Sequence, residues 1–209
     1  MHLEANSLLL SKQSAYKKYH ATETALLRLV SDLIRTSESG NLSLLSLLDM
    51  SAPFDMVYHS ILLQKLTRTY GVNGVTLEWL KSYLRDRHQV VAHGGTRSTK
   101  RNLIYRVPQG SILGPILFLL CTGEINDIIK RYGLHSQCYA DDCQVHSNSK
   151  PVEKERLQQM TLACIDGLSS WMASNRLKLN LDKTEFIWIA SLERTSVRPI
   201  HHSLAMGCR

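Results

Sequence analysis

The sequence lacks the paired cysteines and histidines of a structural zinc site. Its five cysteines are odd in number and follow no Cys-x-x-Cys or His-x-x-x-His spacing, which disfavours a zinc module and a disulfide framework. The apolar run over residues 112–121 is too short to span a bilayer and is interrupted by Gly114 and Pro115. The N-terminal residues do not have the pattern of a secretory leader. These absences predict an intracellular chain, cytoplasmic or nuclear, with no membrane contact.

What the sequence does contain is enough hydrophobic content for a core and an excess of positive charge. Hydrophobic residues make up 44% of the 209 positions, and the formal net charge is +7. Residues 81–106 contain seven lysines and arginines against one acid, Asp86. A nucleic-acid partner and a solvated basic face explain this segment equally well. The candidate nucleic-acid-binding residues are Lys81, Arg85, Arg87, Arg97, Lys100 and Arg101.

Hydrophobic periodicity divides the first half of the chain into helices and extended segments. Apolar side chains recur at helical spacing from Ala21 onward, and Thr22 or Thr24 is placed to cap that helix. An almost unbroken apolar run predicts a buried strand over residues 42–50. Two helices and a glycine-centred hairpin are predicted next, with the helices at 59–70 and 76–85 and the hairpin arms at 88–92 and 103–107.

The second half of the chain adds a tight hairpin to this alternation. One continuous apolar helix is predicted over residues 112–130, followed by a hairpin that turns at Asp141 and Asp142. Pro151 opens another helix that runs to residue 175. Short strands at 177–181 and 184–190 and an irregular tail at 191–209 complete the prediction. The order strand, helix, hairpin, helix, strand is that of a ferredoxin-like, or split βαβ, antiparallel sheet with covering helices, so we expect an α+β fold.

Three aspartates are candidate metal ligands. Side chains of adjacent strand residues point to opposite faces, so Asp141 and Asp142 can reach one site only at a turn. Alone, the pair is better explained as a solvated turn. Asp49 lies near the C-terminal end of the predicted buried strand, 92 positions before Asp141, and the expected topology places it beside the hairpin. Three carboxylates there would suit two Mg²⁺ ions, with Mn²⁺ as a substitute, and metal-dependent phosphoryl transfer, for which a nuclease or a cyclase could also use such acids.

Three sequence blocks in a fixed order narrow this chemistry. They are Leu47-Leu48-Asp49-Met50-Ser51-Ala52-Pro53-Phe54-Asp55, then Val107-Pro108-Gln109-Gly110-Ser111-Ile112-Leu113-Gly114-Pro115, and then Tyr139-Ala140-Asp141-Asp142. Together they resemble the ordered blocks of reverse transcriptases, most of all those of non-LTR, LINE-like retrotransposons. The resemblance runs from about Gln13 to Ile189. It implies a polymerase palm over residues 41–190 with a fingers insertion at about 60–107, and partial fingers over residues 1–40.

The resemblance also implies which residues would carry out the chemistry. Asp49, Asp141 and Asp142 would hold the metal ions, with Asp141 the expected direct ligand of the adjacent pair. Lys183 matches a lysine that neutralises or protonates the leaving pyrophosphate. The reaction would be attack of a primer 3′-hydroxyl on a deoxynucleoside triphosphate, directed by an RNA template.

Four further residues are matched outside the metal site. Phe54 would be an aromatic gate against the 2′-position of the incoming sugar, with core packing as the alternative. Gln109 and Gly110 would contact the incoming nucleotide and the template, with a simple helix-entry turn as the alternative. Asp55 is expected to be structural.

Two functional hypotheses remain at this point, beside a third in which the chain is a fragment without function. The first is a partial RNA-directed DNA polymerase whose partners are an RNA template, a DNA primer and deoxynucleoside triphosphates. We expect the upstream fingers blocks, a complete primer grip, the thumb and an endonuclease to be missing from this sequence. The second hypothesis is therefore a catalytically inactive remnant that binds RNA or template–primer duplex through its basic segment. The sequence does not indicate an oligomeric state.

Overall fold

The computed structural model describes residues 12–108 and 110–190, which form two compact units. The sheet unit comprises residues 12–51, 124–174 and 178–190. The hairpin unit comprises residues 52–108, 110–123 and 175–177. Gln109 and the tail predicted at 191–209 lie outside the described residues. The proposed division into fingers and palm stays a prediction.

Helices and short strands alternate along the described chain. The α-helices are α1 (Thr22–Glu38), α2 (His59–Arg68), α3 (Gly74–Leu84), α4 (Leu113–Cys121), α5 (Ile125–Arg131) and α6 (Lys154–Ser174). The strands are β1 (Leu42–Leu48), β2 (His88–Gln89), β3 (Ala92–His93), β4 (Thr96–Arg97), β5 (Arg101–Asn102), β6 (His135–Tyr139), β7 (Asp142–Ser149) and β8 (Glu185–Ile189). Short 3₁₀ turns span Pro53–Met56, Pro151–Glu153 and Leu181–Lys183.

A four-stranded antiparallel sheet forms the centre of the sheet unit, in the order β6-β7-β1-β8. The strand β1 lies inside the sheet because five of its seven residues are leucines and both of its faces can be covered. It pairs with β7 from Leu42 opposite Ser149 to Leu48 opposite Cys143. The α+β class and the split βαβ order predicted from the sequence are confirmed.

Neighbouring residues of β1 face opposite sides of the sheet. Leu45 packs with Leu29 and Leu33 of α1. Leu44 faces the other way and pairs with Trp188, whose ring lies 5.1 Å from the ammonium of Lys154 on α6. Helix α1 therefore covers one face of the sheet and α6 the other.

The prediction of a single helix over residues 112–130 is wrong. The chain instead forms two helices, α4 and α5, which are separated by residues 122–124. Tyr70 Oη donates a hydrogen bond to the carbonyl oxygen of Leu120 at 2.8 Å. A Cβ atom at Gly123 would collide with this hydroxyl group. The break thus permits a close approach of Tyr70 that only glycine accommodates.

The predicted basic hairpin is present, but its second arm starts earlier than expected. Strand β2 pairs with β5 and β3 pairs with β4, around Gly94 and Gly95 at the tip. The arm predicted at 103–107 is wrong beyond Leu103, whose N–H bonds to Arg87 O, since the rest of that segment bonds to the end of the first sequence block and the residues that follow it. Its backbone contacts are His59 N–H to Ile104 O, Arg106 N–H to Val57 O and Val107 N–H to Phe54 O.

The strand predicted at 177–181 is also wrong, whereas the strand predicted at 184–190 is confirmed as β8. The first segment forms a single bridge between Leu179 and Met50. On either side of this bridge, Ser51 N–H bonds to Lys178 O and Asn180 N–H bonds to Asp49 O. The backbone of this segment therefore bonds to the residues around Asp49 and does not form a regular strand pairing.

Of the described cysteines, two form a disulfide and two are free and buried. Cys138 and Cys143 are cross-strand neighbours joined by a disulfide, which the sequence analysis did not predict. Cys121 and Cys164 are free and buried, and burial raises the pKa of Cys164 to about 12. Within residues 12–108 and 110–190, no helix has the length and apolar character needed to cross a membrane.

Candidate active site

The pairing of β1 with β7 brings two of the predicted ligands to one end of the sheet. Leu48 lies opposite Cys143, so the next residue along β1 and the preceding residue along β7 are Asp49 and Asp142. Asp142 also pairs with Tyr139 across the hairpin. Asp141 occupies the turn between them. Asp49 and Asp142, which are 93 positions apart in the sequence, thus meet because of strand register.

Asp49 is fixed in place by Asn180. The side-chain Nδ2 of Asn180 donates to Asp49 Oδ2 at 2.9 Å, and its backbone N–H donates to the carbonyl oxygen of Asp49 at 2.8 Å. The neutral side chain of Asn180 therefore orients one carboxylate oxygen of Asp49. Carboxylates that bind metal ions are commonly held by such a neighbouring hydrogen-bond partner. Sequence patterning did not identify Asn180 as a site residue.

Gln13 holds the turn that carries the adjacent aspartates. Its Nε2 donates to the carbonyl oxygen of Ala140 at 3.0 Å, and its Oε1 accepts from the N–H of Ala140 at 2.9 Å. Ala140 has φ of 56°, a left-handed conformation that costs free energy for a residue with a side chain. Gln13 is 3% exposed. Its two hydrogen bonds stabilise the strained turn, and the weak patterning of residues 1–20 gave no signal for this role.

Tyr16 lies near the same turn. Burial, then the charges of Asp141 and Tyr139, raise the pKa of Tyr16 above its usual value. Because the residue is 59% exposed, its phenol remains accessible to a bound molecule. Tyr16 is thus an aromatic neighbour of Asp141 that the sequence analysis missed.

The three aspartates influence one another electrostatically. Burial, then Asp141 and then Asp49, raise the pKa of Asp142 above its usual value. Asp142 is itself exposed. A cation placed among these carboxylates would relieve their repulsion.

The donor atoms suit magnesium, although the carboxylates are not arranged as a finished metal centre. In the part of the chain that the structure describes, no group of three or more histidine, cysteine, aspartate or glutamate side chains is placed to hold a metal ion. Mg²⁺ takes oxygen ligands, retains several waters and is usually held by one or two carboxylates together with substrate phosphates. Asp49, Asp141 and Asp142 meet that requirement in chemical type.

Lys183 is an exposed residue of the sheet unit, close in the chain to the residue that fixes Asp49. It ends the 3₁₀ turn Leu181–Lys183, and its N–H donates to Asn180 O at 3.3 Å. The assignment of Lys183 to the leaving pyrophosphate stays a prediction.

The residues predicted to contact nucleotide belong to the hairpin unit. The ring of Phe54 packs against Phe118, with 4.7 Å between ring centroids. Gly110 is exposed, has φ of 78° and has open space where a Cβ atom would be. Asp55 forms an ion pair with Arg106, whose Nε and Nη2 lie 2.7 and 3.2 Å from its two carboxylate oxygens. This pair agrees with the structural role expected for Asp55.

The six candidate nucleic-acid-binding residues differ in how their charges are used. Lys81 forms an ion pair with Glu78 at 2.7 Å. The guanidinium of Arg87 lies 4.5 Å from the ring centroid of Tyr83 and donates to its carbonyl oxygen. The other four are exposed: Arg85, Arg97, Lys100 and Arg101. Among these six residues, the exposed positive charge therefore lies after α3 and on the hairpin.

Replacing Asp141 with asparagine is expected to lower the pKa of Asp142, because Asp141 is the neighbouring negative charge with the larger effect on that pKa. Asp49→Asn should lower it by less, and the exposed Asp166→Asn on α6 should not change it. A carboxyl-detected NMR titration of Asp142 measures its pKa in all three variants.

The same pKa shift affects stability. Because the native state binds the proton of Asp142 more tightly than the unfolded chain does, the free energy of unfolding falls as pH rises through the interval between the unfolded and the native pKa of Asp142. Asp141→Asn should therefore stabilise the protein more at pH 7 than at pH 3, and an unchanged pKa would contradict the proposed repulsion.

Comparison with known proteins assigns the chain to a family. Residues 2–201 match the family described as reverse transcriptase (RNA-dependent DNA polymerase). The chain is 31% identical over 150 residues to a probable RNA-directed DNA polymerase from transposon X-element of Drosophila melanogaster, covering 71% of this chain and 16% of that protein. It is 26% identical over 187 residues to the RNA-directed DNA polymerase from mobile element jockey of the same species, covering 86% and 20%. The chain thus spans a fifth or less of the length of these relatives.

A solved structure shows the same fold. Apo telomerase from Candida tropicalis, truncated from its C-terminal domain, aligns with a TM-score of 0.60 and 14% sequence identity. The alignment covers 90% of this chain and 38% of the telomerase chain. The palm-like α+β fold and the resemblance to part of a LINE-like enzyme are confirmed by these matches. The chain belongs to the reverse transcriptase family.

Proposed function

We propose that this chain is the metal-binding part of an RNA-directed DNA polymerase of a LINE-like retrotransposon. The observation that carries the proposal is the meeting of Asp49, Asp141 and Asp142 at one end of the sheet, where burial, then Asp141 and then Asp49, raise the pKa of Asp142. Family membership supports the reaction type, and the carboxylate cluster supports the placement of its chemistry. The substrates would be an RNA template, a DNA primer and deoxynucleoside triphosphates.

The three aspartates would hold two Mg²⁺ ions, or Mn²⁺ in their place. When bound, such ions activate an attacking hydroxyl and stabilise a leaving phosphate oxygen. Asn180 would keep the carboxylate of Asp49 in one orientation, and Gln13 would keep the turn at Ala140 closed. Lys183 would supply positive charge to the leaving pyrophosphate.

Phe54 and Gly110 would contribute to nucleotide selection. An aromatic ring beside the 2′-position excludes a sugar that carries a hydroxyl group there. The contact of Phe54 with Phe118 gives the ring a rigid support, although the same contact also fits the alternative of core packing. Gly110 would contact the incoming nucleotide and the template, and Gln109, for which the same role is expected, lies outside the described residues.

Primer extension on an RNA template tests this function. With Mg²⁺ and all four deoxynucleotides present, Asp141→Asn should lower extension by at least about 100-fold, since loss of an outer partner of a metal ligand alone costs about 10- to 100-fold. Asn180→Ala removes such an outer partner of Asp49 and should fall within that smaller range. The exposed Asp166→Asn is the matched charge control and should extend primers normally. Metal-dependent extension that survives Asp141→Asn unchanged would refute the assigned mechanism.

A second candidate function is nucleic-acid binding without catalysis. It is favoured by the exposed side chains of Arg97, Lys100 and Arg101 on the hairpin. Such cations bind phosphates with little regard to base sequence and release counterions when they do so. The two candidates differ in the aspartates, which the binding function does not need.

Binding of single-stranded RNA is expected to weaken steeply as salt increases. Replacing Arg97 and Arg101 together with glutamine should reduce the magnitude of the slope of log K against log salt by roughly 1.4, about 0.7 for each lost phosphate contact. Fluorescence anisotropy at several salt concentrations measures the slope. The exposed Arg156→Gln on α6 serves as the charge-matched control. A salt-independent affinity would count against the basic hairpin as a binding surface.

A further inference from the structure

A polar cavity lies in the sheet unit, away from the three aspartates. It has a volume of about 500 Å³ and is lined by α1, the segment before it and strands β6 and β7. His146 on β7 forms part of its wall, four positions from Asp142, which corresponds to about 13 Å along the strand. The cavity is therefore separate from the proposed metal site.

The charges around this cavity are mainly positive. Lys12, Arg28 and Arg35 line it together with a single acid, Asp32. In the described part of the chain, no carboxylate lies within ion-pair distance of any of these three cations. Their exposed positions leave the charged ends accessible from solvent. An anion is the ligand that such a lining would attract.

His146 provides an independent sign of a missing ligand. The residue is 8% exposed, and its Nδ1 atom is buried with no hydrogen-bond partner among the residues that the structure describes. Its Nε2 lies 3.9 Å from Asp32 Oδ2. Buried polar nitrogens are nearly always hydrogen-bonded, so His146, a residue of the cavity wall, retains a hydrogen-bonding nitrogen that the described residues leave unused.

The surroundings of His146 are matched to an anionic ligand. Its ring lies 5.6 Å from that of His135, centroid to centroid, on the paired strand. Burial, then His135 and also Lys12, lower the pKa of His146, while Asp32 acts in the opposite direction. A bound anion would offset these effects and favour a ring that donates through both nitrogens.

We propose that this cavity binds a phosphate group through Lys12, Arg28, Arg35 and the imidazole of His146. Charge-assisted hydrogen bonds to phosphate oxygens are the strongest polar contacts that these side chains can form. The volume falls within the range of small-ligand sites and accommodates one nucleotide. The phosphate belongs either to a free nucleotide or to the backbone of a single strand. Neither source requires the catalytic function proposed above.

The test is an NMR titration that follows the imidazole nitrogens of His146 and His135. The probes are inorganic phosphate, adenosine 5′-monophosphate and a twelve-residue oligothymidylate without a terminal phosphate. Saturable shifts of both rings with any of these probes support the site. A response to the mononucleotide identifies a free nucleotide as a ligand, and a response to the oligonucleotide alone identifies a strand backbone. Unshifted rings with all three probes would overturn the proposal.

Variants separate this cavity from other basic surfaces. The double variant Arg28→Gln, Arg35→Gln should weaken binding at least about tenfold, the loss expected for one charge-assisted hydrogen bond. His146→Asn should also weaken it, which matters if the double variant proves unstable by circular dichroism. Arg156→Gln removes an equivalent charge elsewhere in the sheet unit and should bind as the unmodified chain does. Equal affinity of all four proteins would refute the assignment even if the rings shift.

Discussion

The register of β1 against β7 is the constraint on which the candidate site depends, because it holds like-charged aspartates together at one end of the sheet. Strand register places Asp49 beside Asp142, and the hairpin turn adds Asp141. A slip of one residue between β1 and β7 would move every side chain of the strand to the opposite face, so the buried leucines of β1 also fix the acids. Asn180 and Gln13 then hold the local backbone and one carboxylate in place. The packing of α1 and α6 on the two faces stabilises an arrangement that the charges alone would oppose.

The order of the strands and helices could largely be predicted because it follows from local sequence patterns. The uninterrupted apolar run identified β1, and the alternation of elements identified the split βαβ order. Features that depend on distant contacts could not be predicted in this way. The break at Gly123 depends on the hydroxyl group of Tyr70, and the role of Gln13 depends on Ala140, 127 positions away. A periodicity window contains neither partner, so the helix was predicted as continuous and Gln13 was missed.

The distribution of positive charge adds a second layer to the proposed chemistry. The aspartates would bind a cation, whereas two groups of basic side chains would bind anions. One group comprises the exposed hairpin residues Arg97, Lys100 and Arg101 of the hairpin unit. The other surrounds the cavity at His146 in the sheet unit. Salt should weaken ligand binding by both basic groups, while divalent ions should act at the carboxylates. These opposite responses allow the three regions to be studied separately in one protein.

The central claim is that Asp49, Asp141 and Asp142 together form a divalent-cation site. Titration with Mn²⁺, followed by electron paramagnetic resonance of the free ion, measures this without substrate or activity. The account predicts saturable binding in the millimolar range or tighter, as for Mg²⁺-type sites made of a few carboxylates, with marked weakening in Asp49→Asn. Asp182→Asn, an exposed acid in the turn after Asn180, should bind as the unmodified chain does. Binding that is equally strong in Asp49→Asn, or no saturable binding at all, would contradict the account.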